Sequence, residues 1–141
     1  MFIDRNLQFF DDEVITTGAP TEYKSDSLLL SVVDEMLREG KGEPLEVLWQ
    51  VTKAFAGGTS VVLHTITAPE ASLATDESHY ITPAIVNADL FLGAKFRFPL
   101  AMVSPDTATH FGVMLVATGT FTGSSAISCW VQRVGEDQNS Y

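Results

Sequence analysis

The sequence predicts an all-β protein: an antiparallel jelly-roll sandwich of about eight strands in a single domain. Three observations predict it. Apolar and polar residues alternate in short runs, above all in "PLEVLWQVTKAF". Turns rich in glycine, threonine and serine separate these runs, as in "GTFTGS". With 141 residues and 45% hydrophobic content, the chain can bury a core of its own, and residues 1–141 fit one domain.

The opening "MFIDRNLQFFDDE" alternates charged and apolar residues and turns acidic, unlike a secretory leader. Residues 1–13 read as an N-terminal arm. Phe9 and Phe10 are adjacent and cannot both enter a core from a regular strand, so one of them packs under a loop or against a partner. Asp11, Asp12 and Glu13 lack the spacing of a calcium loop and read as a solvated turn. "SDSLLLSVVDEMLREG" has apolar residues at helical spacing, with Ser27 as cap and Gly40 as stop, yet its leucines and valines also suit a strand. Periodicity leaves both open. Gly40, Gly42 and Pro44 bring the chain into a strand whose buried face is Leu45, Val47, Trp49 and Val51.

"AFAGG" then turns the chain, and "TSVVLHTIT" returns as a hairpin with either Val61, Leu63 and Thr65 or Val62, His64 and Ile66 on its inner face. Residues 68–78 carry proline, serine and acids without periodicity and read as a solvated loop. "HYIT" is a short strand broken by Pro83, and "AIVNADLFLGA" is a turn of helix or irregular chain. "KFRFPL" alternates Lys95 and Arg97 outward with Phe96 and Phe98 inward. "THFGVMLVAT" and "SAISCWVQRV" form a second hairpin. With Gly112 opposite Trp130, the core face is Phe111, Val113, Leu115, Ile127, Cys129 and Val131. Met114, Val116, Ala126 and Trp130 then point outward as a patch that something must cover. Residues 135–141 read as a flexible tail.

Eight Lys plus Arg against eighteen Asp plus Glu give a net charge of −10, and the cations are scattered, so no direct nucleic-acid binding is expected. No apolar stretch approaches the roughly 20 residues that span a bilayer, so the chain reads as soluble, with no membrane partner. Cys129, the only cysteine, reads as a buried inert thiol. Gly40-Lys41-Gly42 lacks the G-x-x-x-x-G-K-[ST] order that cradles phosphate. His64, His79 and His110 are each solitary, without the H-x-H pair of a cupin metal site. No G-x-S-x-G elbow orients a nucleophile. No catalytic residue, cofactor or metal is therefore expected, and the chain does not read as an enzyme. Trp130, Tyr23, Tyr80 or Tyr141 could serve as a sugar platform, which keeps a carbohydrate-binding jelly-roll module on a virion or cell surface as the alternative.

Five stretches carry a resemblance: "MFIDRNLQFFDDEVIT" at the start, "GKGEPLEV" at 40–47, "HYITPAI" at 79–85, "FRFPL" at 96–100 and "TGTFTGSSAISCWVQR" at 118–133. With them the chain resembles, nearly end to end, the small capsid cement proteins of tailed bacteriophages, of the Bordetella-phage type. The motifs are short and structural rather than catalytic, and "SLLLSVVDEMLREG" departs from the family pattern. The resemblance implies a jelly-roll virion protein on the outer surface of the head, assembled in the host cytoplasm. There it would bridge neighbouring major capsid protein subunits, commonly as a homodimer. It also implies a strand followed by a loop at residues 27–39. The expected protein contacts are Phe2, Ile3, Phe9 and Phe10 from the arm, and Met114, Val116 and Trp130 from the outward patch.

Overall fold

The computed structural model describes residues 8–15, 21–29, 45–99, 109–122 and 125–133. In chain order its strands are β1 (Gln8–Val14), β2 (Thr21–Lys24), β3 (Leu28–Leu29), β4 (Leu45–Lys53), β5 (Ser60–Ala68), β6 (Glu77–Ile81), β7 (Ile85–Val86), β8 (Lys95–Pro99), β9 (His110–Thr118) and β10 (Ala126–Arg133). A 3₁₀ turn, Asn87–Asp89, follows β7. The strands form two antiparallel sheets packed against each other, so the chain is an all-β sandwich. The first sheet runs β1-β10-β4-β8 and the second β2-β9-β5-β6, with β3 also on β9 and β7 also on β5. The pairing is nested: β1 with β10, β2 and β3 with β9, β4 with β8, β5 with β6 and β7.

Neither expected hairpin forms. β4 and β5 lie in different sheets, as do β9 and β10, so both connections cross the sandwich. The physical reason lies in the apolar faces. Val47, Trp49 and Val51 of β4 and Val61 and Leu63 of β5 belong to one buried cluster with Phe111, Val113, Leu115, Ile127, Cys129 and Val131. Facing each other across two sheets, these strands bury one another, whereas side by side they would leave a single apolar face uncovered. Each connection also carries a phenylalanine, Phe55 or Phe121, and the two rings meet at the end of the core. Backbone bonds lock the crossings together, Thr122 N–H to Ala56 O (2.7 Å) and Thr59 N–H to Thr118 O (2.9 Å).

The arm expected at residues 1–13 is, from Gln8 onward, an edge strand of the first sheet, not a solvated turn. Both phenylalanines enter the core. Register shifts between Gln8 and Phe10 and between Phe10 and Glu13 interrupt the alternation, which is how a β-bulge re-aims neighbouring side chains. Phe9 packs edge-on against Phe111 of the opposite sheet (5.6 Å between centroids), and Phe10 tilts against Trp49 (5.5 Å). Asp12 takes a positive φ of 53° in the second shift. Its N–H bonds Ser128 Oγ, and its carboxylate accepts from the Thr52 hydroxyl.

The segment after β5 is not simply solvated. Leu73, at φ 57°, turns inward and is fully buried against Ile66, Ala68 and Met114 on the outer face of the second sheet. The strap is tied down by Lys24 Nζ to Leu73 O (3.0 Å), Ser27 Oγ to Ala71 O (2.8 Å) and Thr109 N–H to Ala68 O (3.0 Å). This explains the ambiguous face of β5. Val61, Leu63, Thr65 and Thr67 face the core, while Ile66 and Ala68 are buried under the strap.

β4 likewise buries both faces, since Glu46 and Leu48 are buried as well as Trp49. "KFRFP" forms β8 as expected, with Pro99 tolerated on an edge strand. Of residues 27–39, Leu28–Leu29 is a strand and Ser27 precedes it; residues 30–39 lie outside the described residues, as do residues 1–7, 40–44 and 135–141.

Candidate interaction surfaces

The structure redistributes the expected contact residues. Phe2 and Ile3 lie outside the described residues, and Phe9 and Phe10 are core. Met114 and Trp130 are both buried within the chain, and they lie on opposite outer faces of the sandwich because β9 and β10 belong to different sheets. The single outward patch expected from Met114, Val116 and Trp130 is therefore not formed. Met114 is covered by the Leu73 strap; Val116, half-buried, borders it. Trp130 is no sugar platform: its Nε1–H donates to Gln132 Oε1 (2.9 Å), and Gln132 Nε2 donates to Glu46 Oε1 (2.7 Å). Arg97 Nη1 stands 3.6 Å from the same Glu46 oxygen. A buried carboxylate so partnered avoids the penalty of an isolated charge. Tyr80 offers one ring face at most, because it stacks on Phe98 at 4.7 Å across the edges of the two sheets.

Exposed apolar side chains occur elsewhere. Phe91 and Leu92, 61% and 67% exposed, sit at the apex of a turn. Gly93 has φ 86° there, its N–H bonds Val51 O (2.9 Å), and Ala94 N–H bonds Phe91 O (2.9 Å). The turn is thus anchored to β4, with Leu90 buried behind it. Beside it a shallow groove of about 530 Å³ is lined by Ala54–Gly57, Asn87, Ala88, Leu90 and Phe91.

The second surface is the outer face of the second sheet beyond the strap. Cross-strand partners point to the same side of a sheet, so the registers Val62↔Val116, His64↔Ile81 and Ser60↔Val86 put these side chains on one face. Ile81 and Val86 are 56% and 51% exposed. Glu22 stands opposite Val116 and closes the row.

Charge is unevenly divided. The strands and connections of the second sheet carry Glu22, Asp26, Glu70, Asp76 and Glu77 against Lys24, while the strands of the first sheet carry Asp11, Asp12, Glu13 and Glu46 against Lys53, Lys95, Arg97 and Arg133. Lys24 is engaged, 3.1 Å from Asp76 and 3.9 Å from Glu22.

The histidines are bonded singly: His64 Nδ1 to Ser78 Oγ (3.0 Å), His79 Nε2 to Thr67 Oγ1 (2.6 Å) and His110 Nδ1 to Thr109 Oγ1 (2.8 Å). Burial lowers the His64 pKa below its usual 6.5, against the opposing pull of Asp76 and Glu22. Among the described residues no three His, Cys, Asp or Glu side chains group to hold a metal, and no helix is long and apolar enough to cross a membrane. Cys129 is fully buried, and desolvation raises its thiol pKa well above the ordinary value.

Sequence reasoning missed Ile81, Val86, Phe91 and Leu92. A signal existed for the last two, since consecutive large apolar residues beside a glycine, in a run with no strand or helix period, have no core face to occupy. No protein-family model matches the chain, and no curated protein matches it.

Proposed function

We propose that the chain is a capsid decoration protein of a tailed bacteriophage, which binds the outside of the assembled head and cements neighbouring major capsid protein subunits. The observation that carries this reading is the pair of separate exposed apolar surfaces on one sandwich. One is the open part of the second sheet's outer face, and the other is the Phe91–Leu92 apex anchored to the first sheet. A cement molecule must touch more than one subunit, and two surfaces on one body let the second contact form at high effective concentration. The nested strand order supports taking the sandwich as a jelly roll, the fold of the family the sequence resembles.

A protein that binds the assembled shell but not its separated subunits stabilises the shell by RT ln(1 + [L]/Kd). That is about 2.7 kcal/mol at a hundredfold excess over Kd. Summed over many sites, such contacts resist the pressure of packaged DNA without any catalytic group. Heads assembled without the protein, from the virus that encodes it, test the reading directly. Adding the purified chain should raise the temperature at which they rupture, and absence of both binding and protection would refute it. The reading includes a homodimer, which light scattering of the free protein checks.

A further inference from the structure

We propose that the open part of the second sheet's outer face, formed by Val62, Val116, Ile81 and Val86, docks a protein surface that is apolar at its centre and carries lysine or arginine around it. The identity of that partner rests on the capsid reading above; the choice of face rests on registers, exposure and charge. The sheet has two kinds of outer surface. Over Gly112, Ile66 and Met114 the strap supplies its own cover through Leu73. From Val116 and Val62, both half-buried, exposure rises towards the edge, where Ile81 and Val86 are each more than half exposed.

The charge around this strip selects its occupant. Glu22 borders Val116 with its side chain 58% exposed, and Asp76 is joined to it through Lys24 at the same margin. Lys24 already answers to both acids and to the Leu73 carbonyl, leaving an excess of negative charge at the margin. An apolar centre with a charged rim is the layout of a protein contact, and the sign of the rim asks for a basic partner. A second copy docked by the same face would set Glu22 and Asp76 against their own equivalents, which like-charge repulsion opposes.

The test uses two probes. Ile81→Glu combined with Val86→Glu should weaken binding to protein-free heads at least about tenfold, with an unchanged melting temperature because both sites are exposed. Glu22→Lys should slow association and flatten its salt dependence. Heads that bind the Ile81/Val86 and Glu22 variants as they bind wild type overturn the docking face while the capsid reading stands. If wild type fails to bind heads, the capsid reading falls, and a synthetic peptide of alternating lysine and leucine decides the face. Methyl resonances of Val62, Val116, Ile81 and Val86 that shift together during the titration support it. Shifts confined to the first sheet, or none, overturn it.

Discussion

Leu73 lies so close over Gly112 that a β-carbon added to the glycine would stand 2.5 Å from Leu73 Cδ1. The glycine is therefore the seat of the strap. Its lack of a side chain lets a loop residue reach the sheet backbone and bury itself at a φ that leucine rarely adopts.

Gly112→Ala should destabilise the fold by about 1–3 kcal/mol through this overlap. Leu73→Ala should cost about 2–5 kcal/mol through the cavity it leaves. The double variant should cost less than the sum of the two, since each change relieves the other. Urea unfolding of the four proteins measures the coupling, and simple additivity would show that the strap does not rest on Gly112.

Phe55 and Phe121 meet edge-on, with centroids 5.1 Å apart and ring planes 77° apart, where the two crossings pass each other. Phe121→Ala should cost about 3–5 kcal/mol, as for other large core deletions. A β-carbon at Gly58 would stand 2.4 Å from the Phe121 ring, so Gly58→Ala should also destabilise, and far less when Phe121 is already alanine. Thermal melts of the single and double variants check both statements.

Trp49 is buried in the core, and among the described residues no acceptor meets its Nε1–H. An unsatisfied buried donor costs about 1–3 kcal/mol, which offsets much of what the extra ring volume contributes. Trp49→Phe should therefore stay within about 1.5 kcal/mol of wild type, whereas Trp49→Ala should lose about 3–5 kcal/mol. Denaturant midpoints compared at equal slope would decide.

His64 gives the fold a pH dependence of known sign. Burial penalises the imidazolium by more than Asp76 and Glu22 restore, so the folded-state pKa lies below 6.5. As pH falls through 6.5 the unfolded chain takes up this proton first, and stability declines until the folded chain takes it up too. Above 6.5 the contribution is constant. The stability difference between wild type and His64→Gln should accordingly shrink as pH falls from 7 towards 5, and a difference that grows over that range would reverse the assignment.

Strand positions were legible wherever a run had one buried face and polar turns, as in "KFRFP", and the core residues of β9 and β10 follow from alternation alone. Which strands lie side by side was not. A polar turn between two apolar runs has the same composition whether the chain folds back within one sheet or crosses to the other. What separates the cases is the burial of Phe55 and Phe121, which depends on both crossings at once. Phe9 and Phe10 failed for a local reason: alternation forbids both from the core, and two shifts of register remove that prohibition. The single outward patch failed with the second hairpin, because Met114 and Trp130 share a patch only if β9 and β10 share a sheet.

The place of β10 between β1 and β4 has a consequence for synthesis. The first sheet has no interior until residues 126–133 arrive, so Phe9 and Phe10 are made long before their strand gains its ladder. Pairing across such sequence distances is slow. On the ribosome β1 thus stays an unpaired apolar edge until β10 emerges, and the first sheet closes only then.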